Sequence, residues 1–379
     1  MRTNQTFPWR GLLGVSSALL ACAPALAVDF SYSGFGSLVL GKTAGSCQDA
    51  TMASQFDLAC TRYIADWAHA GVYTPGLSAR PETRLGVQGQ ADFGSGLSAT
   101  VQLTARPLER QHLNLEWLYL GYKITPEWTL QVGRKRLPLY YYSDFQDVGY
   151  AYNTVRPSPD VYGWDIVNYN GASLSWTRNL GDWSLRSELF TGSENSKQNN
   201  YSTLIQDDPK DLKWSGIGGV VMELNRDWFT ARVSWVRANA SQRDRLTDTS
   251  DVFLSGETQA KVQMFGLALN ADWDNWIVRT EFGSADRSQQ GYKAKLYLAT
   301  VGYRWGDFTL TGGMSAYRET TSYPDDYIPV RDQAQLLALR YDVRKGGALK
   351  LQFDKVKDAG SVPFAGSARV LSASYDFVF

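Results

Sequence analysis

The residues of this chain that could do chemistry are charges and rings, and they are dispersed rather than grouped for bond-making. Segment 137–167 holds four carboxylates, Asp144, Asp147, Asp160 and Asp165, together with Tyr140, Tyr141, Tyr142, Trp164 and one base, Arg156. Single bases recur elsewhere: Arg84, Arg106, Lys135, Arg186, Arg232, Arg279 and Arg340. Carboxylates and cationic side chains can sort ions by charge, and ring faces can stack on a sugar or another ring. Hydrolytic chemistry has less to work with, because it needs a histidine beside a nucleophile or a water. The chain has only His69, in a long connection, and His112, opening a segment near Glu116, and no recognisable Ser/His/Asp arrangement accompanies either. No catalytic residue is therefore assigned. Asp207-Asp208 and Asp325-Asp326 lack the spaced ligands of a calcium loop. No metal and no cofactor is expected.

The bases fall on segments that alternate apolar and polar residues, the period of a strand with two unlike faces. In the last twelve residues, ARVLSASYDFVF, one face carries Leu371, Ala373, Tyr375, Phe377 and Phe379, and the other Val370, Ser372, Ser374 and Asp376. Sixteen such strands are predicted: 29–40, 80–93, 97–106, 112–124, 128–136, 168–179, 183–192, 213–224, 228–238, 261–273, 275–284, 293–305, 307–318, 333–344, 347–357 and 368–379. Seven connections are tight turns, at 94–96, 125–127, 179–182, 225–227, 274, 306 and 345–346. The others are generally longer, notably 41–79, 137–167, 193–212 and 239–260. Trp128, Trp183, Trp228, Trp276 and Phe308 each follow a short turn, as in an interfacial aromatic girdle. Only a closed barrel satisfies every strand edge in hydrocarbon. The expected fold is all-β, a transmembrane antiparallel up-and-down barrel of about 16 strands, with short periplasmic turns and long extracellular loops.

The amino terminus fits a secreted chain. Arg2 and Arg10 precede the apolar run 11–21, and Ala25-Leu26-Ala27 is a small-x-small cleavage site, so residues 1–27 read as a signal peptide cut near Ala27. Residues 28–379 then form one barrel domain, since no linker or composition break divides them. Cys47 and Cys60 are left, in an oxidising compartment, as a loop disulfide or as two free thiols. The 38 Lys and Arg balance 38 Asp and Glu, which argues against a nucleic-acid partner.

The face opposite the apolar one carries Thr100, Gln102, Thr104 and Arg106; Gln131 and Lys135; Arg186 and Glu188; Arg232 and Ser234; Arg279 and Glu281; Arg340 and Asp342; Lys350, Gln352 and Asp354. A polar, doubly charged lining of this kind should hold water, and sixteen strands leave an aqueous channel. Alternation sends Arg134 and Arg136 away from Lys135, toward a flanking or loop-supporting role.

With FSYSGFGSLVL at the first strand, TLQVGRKRLP at 129–138 and SASYDFVF at the end, the chain resembles the Gram-negative outer-membrane porins, usually trimers of sixteen-stranded diffusion barrels. The resemblance covers essentially the whole mature chain. It implies passive diffusion of small hydrophilic solutes and ions across the outer membrane, among outer-membrane lipid and lipopolysaccharide. It also implies a terminal aromatic, Phe379, that is part of the signal to the barrel-assembly machinery, and a third long loop folded into the pore. That loop is 137–167. Its Asp144, Asp147, Asp160 and Asp165 would then face Arg84, Arg106, Lys135, Arg186, Arg232, Arg279 and Arg340 across a constriction, where charge and width set selectivity. A substrate-selective channel is the nearest alternative, with Tyr140, Tyr141, Tyr142 and Trp164 stacking on an anionic, sugar or aromatic solute; an outer-membrane enzyme or adhesin is further off. The pattern departs from the family at two loops. The connection at 107–110 is too short to latch onto a neighbouring subunit, and 41–79 is long enough to cap the barrel or reach a neighbour.

Overall fold

Alternating faces close here into a barrel. The computed structural model describes residues 28–45, 61–109, 112–204, 209–247, 252–254, 257–325, 327–360 and 367–379. The expected signal peptide, Cys47, Cys60 and the Asp207-Asp208 pair lie outside the described residues, as does Asp326. Strand β1 (Asp29–Ala44) is followed by a small hairpin, β2 (Tyr63–Asp66) and β3 (Gly71–Tyr73). Next come β4 (Arg84–Asp92), β5 (Leu97–Ala105), β6 (Leu113–Lys123), β7 (Trp128–Arg136), β8 (Asn168–Leu180), β9 (Trp183–Ser196), β10 (Lys210–Arg226) and β11 (Phe229–Asp244). The last seven are β12 (Thr258–Trp273), β13 (Trp276–Arg287), β14 (Tyr292–Trp305), β15 (Phe308–Thr320), β16 (Arg331–Arg344), β17 (Gly347–Asp358) and β18 (Ala368–Val378). All but β2 and β3 pair antiparallel in chain order, and β1 closes the ring between β18 and β4.

Each of the sixteen predicted strands is present, with its short turn or long connection where expected. Tight turning needs left-handed backbone, and at Gly96 (φ 83°) a Cβ would lie 2.9 Å from the Lys123 carbonyl oxygen of the adjacent turn. Outward faces form an apolar belt that includes Leu38, Leu120, Val132, Leu189, Leu337 and Leu351. Near the short-turn rim, exposed rings meet across strands, Trp128 with Trp176, Trp276 with Tyr303 and Phe308 with Tyr341.

Three features depart from the sequence reading. The β2–β3 hairpin was not expected inside 41–79; its Tyr63 and Tyr73 are buried in one cluster with Ala368 and Val370. Strands lengthen toward the long-loop rim, β10 reaching 17 residues where β4, β5 and β7 have 9. The lumen is not hydrophilic throughout. On β8 to β14 its upper part is lined by Tyr169, Phe190, Trp214, Ile217, Val262 and Met264, a core into which segment 137–167 packs. Strand alternation shows which face is inward but not what covers it.

The closing seam depends on the last residue. Phe379 donates its amide to Gly34 and accepts from the Gly34 amide, at 3.0 and 2.9 Å. Its ring lies over Gly34, so a Cβ there would meet ring carbon at 2.1 Å. Phe379→Ser and Gly34→Val should therefore both lower the fraction of chain that reaches the folded barrel, read as heat-modifiable mobility on gels. Barrels that do fold should conduct as wild type does. Unchanged folded fractions for both variants would show that this ring-on-glycine seam is dispensable.

Candidate functional site

Segment 137–167 leaves the wall where the Leu137 amide bonds the Val167 carbonyl at 2.8 Å, and turns into the lumen. It is mostly irregular, with short helical turns at Ser143–Phe145, Gly149–Ala151 and Pro159–Tyr162. Its short turns close some backbone bonds, such as the Ser143 amide to the Tyr140 carbonyl at 3.2 Å, but leave other polar groups without a partner in the segment, and inside a barrel each unmade bond is costly. The wall supplies them. Arg84 Nε donates to the Asp147 carbonyl at 2.7 Å, and Arg232 to that of Pro138 at 3.1 Å. Arg340 donates to Tyr150 and Tyr152 carbonyls at 2.8 and 3.2 Å, and Lys350 Nζ to Gly149 and Thr154 at 2.6 and 2.9 Å. Glu281 accepts the Tyr141 amide at 3.0 Å, and Gln352 Oε1 the Val155 amide at 2.7 Å. Most of these groups were predicted to face the pore; several are spent on holding the segment.

The four acids separate into distinct environments. Asp147 is buried between Arg106 and Arg136, with Glu116 taking both guanidiniums from the other side at 2.8 and 3.2 Å. Burial alone would raise its pKa, but Arg106 and Arg136 outweigh that and hold the carboxyl far below the carboxylate range. Asp165 pairs with Arg287 at 2.9 Å. Asp160 accepts from Ser315 Oγ at 2.6 Å, and burial pushes its pKa up to about 6. Only Asp144 is substantially open: its side chain is 40% exposed and 3.4 Å from Arg232. Among the bases, Arg186 is the open one, 50% exposed and 2.8 Å from Glu188, which also takes Lys135 at 3.0 Å. Arg279 pairs with Asp272 and Arg340 with Asp342, both at 2.7 Å.

Two of these placements depart from strand alternation. Between Leu103 and Gln102 of β5 the facing strand β6 has one residue too many, so Glu116 and Trp117 share one bulge. That bulge aims Glu116 at the arginines. Arg136 was expected to point away from Lys135, yet it is buried and reaches Asp147, because β7 ends there and the chain is already leaving the wall. Arg134 keeps its phase and pairs with Glu194 at 2.8 Å. Sequence reasoning named Arg156 in the segment and Lys350 on the polar face but gave neither a partner: Arg156 bonds Glu82 at 2.7 Å and Asp354 at 2.9 Å, and Lys350 lies 3.1 Å from Asp376. Alternation marked Asp354 and Asp376 as inward charges, which was the signal that each had an inward base to meet.

Tyr140, Tyr142 and Trp164 do not present open faces. They are buried with Tyr162 against the apolar side of the lumen, and Tyr141 alone is partly exposed. Each buried ring or aliphatic side chain stabilises the docked segment by roughly 1.5–3 kcal/mol, so this side adds packing to the charged contacts that hold the segment all round. His69 bonds Asp66 at 2.7 Å with Glu109 at 3.7 Å, and the His112 carbonyl accepts the Arg106 amide at 3.0 Å. The docked segment divides the lumen. A cavity of about 590 Å³ lies toward the short-turn rim, lined by Gln88, Gln102, Trp117, Asp144 and Phe145. A second, of about 620 Å³, lies toward the long-loop rim.

No protein-family model and no curated protein matches the chain. Solved structures do. An outer-membrane channel of Acinetobacter baumannii, DcaP, aligns over 93% of this chain and 97% of its own, at 12% identity and TM-score 0.58. An anion-selective porin from Comamonas acidovorans aligns over 93% and 100%, at 13% and 0.53. The trimer form of OmpT, an outer-membrane protein of Vibrio cholerae, aligns over 93% and 100%, at 9% and 0.53. At these identities the likeness is one of fold.

Asp147→Asn tests what holds the segment. It leaves Arg106 and Arg136 buried with one carboxylate fewer, and breaking such a pair costs about 3–5 kcal/mol. Amide hydrogen exchange over 138–156 should lose protection by about that much while the barrel strands keep theirs. Equal protection in variant and wild type would show that Asp147 does not anchor the loop.

Proposed function

We propose that this chain, which has the fold of the outer-membrane porins, lies in the outer membrane of a Gram-negative bacterium after its signal peptide is removed near Ala27. There it forms a water-filled channel for passive diffusion of small hydrophilic solutes and ions. The observation that carries the reading is the underside of the inward segment. Asp144, beside Arg232, lines the lower cavity, and Arg186, beside Glu188 near the short-turn end of β9, is the open base, so accessible charges of both signs face the lumen toward the short-turn rim. Charges so placed act on an ion in the narrowest part of an aqueous path, where they set preference. A passive channel needs no catalytic group. In this reading His69, which bonds Asp66 and lies 3.7 Å from Glu109, serves the β2–β3 hairpin.

Asp147 and Asp165 are spent on ion pairs and Asp160 faces the upper chamber, so in this reading selectivity falls mainly to Asp144 and the bases near it. A substrate-selective channel of the same class is the second reading, favoured by how much of the lumen segment 137–167 fills. We further propose a homotrimer, supported by the low wall of β4, β5 and β7 and by the trimer form of the Vibrio cholerae protein. Lipid and lipopolysaccharide would surround the remaining wall, and Phe379 would address the barrel-assembly machinery.

Planar-bilayer recording tests the channel. Wild type should show ohmic conductance, and Asp144→Asn should shift the reversal potential in a salt gradient by several millivolts toward anion preference. Its folding should be unaffected, since an exposed substitution changes stability by only about 0.5 kcal/mol. Folded protein that never conducts would sink the reading, and an unmoved reversal potential would take Asp144 out of the filter.

A further inference from the structure

The cavity toward the long-loop rim, about 620 Å³, is the size of a site that encloses a small organic ligand. Asp160, Trp164 and Asp165 of the inward segment bound it on one side and the upper ends of β10 to β16 on the other. Its rings are numerous. Trp67 and Tyr201 lie with centroids 5.3 Å apart, Tyr292 and Tyr327 stack at 5.2 Å, and all four line the chamber.

Its charge is one-sided. The carboxylates are Asp160, Asp165, Glu319 and Asp332, and the bases Lys210 and Arg287. Both bases are engaged, Lys210 at 3.6 Å from Asp244 and Arg287 at 2.9 Å from Asp165. Arg287 also lies 5.7 and 5.3 Å from the ring centroids of Trp164 and Trp214, so it is not offered to an anion. Glu319 accepts from the Tyr317 and Tyr327 hydroxyls at 2.8 and 2.9 Å. Asp160 and Asp332 are different. Among the described residues neither has an ion-pair partner, and the Asp332 side chain, in a residue 9% exposed, accepts no hydrogen bond. A carboxylate buried this far without donor or cation is costly unless something else supplies the partner. Among the described residues no three His, Cys, Asp or Glu side chains group to hold a metal. Ring faces beside uncompensated carboxylates are instead the recognition chemistry of an organic ammonium or amidinium.

We propose that this chamber binds small organic cations with an aromatic body, the charged group held by Asp332 and Asp160 and the body against the Tyr and Trp rings. Such a site would gather these solutes on the long-loop side before they meet the constriction. That consequence rests on the channel reading, but binding itself does not.

Benzylamine hydrochloride is the probe, titrated calorimetrically into the folded detergent-solubilised barrel at neutral pH, with benzyl alcohol, benzoate and calcium chloride in parallel. Benzylamine should bind at least tenfold more tightly than the neutral and anionic analogues. The Asp160→Asn/Asp332→Asn variant, which keeps the side-chain shape, removes two carboxyls that have no ion-pair partner among the described residues and should fold at least as well as wild type, should weaken it at least tenfold. Tyr327→Leu, at the chamber's rim, should weaken benzylamine without restoring binding of benzoate. Equal affinity for benzylamine and benzyl alcohol, no binding, or an affinity untouched by the double variant would each overturn the proposal. Calcium binding that the double variant abolishes, with benzylamine excluded, would overturn it in favour of a metal site. A barrel that binds benzylamine yet fails to conduct would leave this site standing and remove the channel.

Discussion

The arrangement depends on one constraint: an irregular segment inside a barrel needs more hydrogen-bond partners than its own turns provide. Segment 137–167 closes short turns but has no ladder and almost no helix, so many of its carbonyls look to the wall. Arg84, Arg232, Arg340 and Lys350 answer them, and those side chains can do so because β4, β11, β16 and β17 hold them at inward positions. Asp147 adds a buried acid on which Arg106 and Arg136 converge, as they also do on Glu116. With that set removed, the segment would be held mainly by its apolar contacts toward β8 to β14.

Charge holds the segment on both sides, packing on one. Toward β4, β5, β16, β17 and β18 it is tied by ion pairs and charge-assisted bonds, each contributing on the order of 1.5–3 kcal/mol. Toward β8 to β14, Arg232, Glu281 and Arg287 also bond it, and Tyr140, Tyr142, Tyr162 and Trp164 add an apolar core. The first kind of contact fixes position, since guanidinium geometry is directional. The second contributes free energy with little direction. A segment held by both is located as well as stabilised, which a filter of fixed width requires.

How much of this could be read from sequence follows from which rules are local. The strands were legible because outward positions must be apolar and inward ones need not be, and that period of two survives in every strand. The bulge at Glu116 was not, since one extra residue looks locally like continued alternation. Arg136 was misplaced for a related reason: alternation holds only while the chain is in the wall, and β7 ends at that residue. The three tyrosines read as a stacking surface because sequence shows a ring but not its cover. The acids of 137–167 were found as a group. Their separation into an anchor, a pair, an isolated carboxyl and an open one is set by wall residues between 11 and 155 positions away in the chain.

The same separation explains why net charge says little about which ions such a lumen favours. Nearly every wall base has a local partner, so its field is largely cancelled within a few ångströms, and salt screens what is left beyond about 10 Å. What an ion meets is the residue of that cancellation. Below the segment it is the open Asp144 and Arg186, of opposite sign, so the lower mouth is nearly neutral overall but polarised across its width. Above the segment Asp160 and Asp332 have no ion-pair partner among the described residues. In the proposed channel the two sides of the segment would therefore present different fields to an ion, one-sided above and polarised across the lumen below.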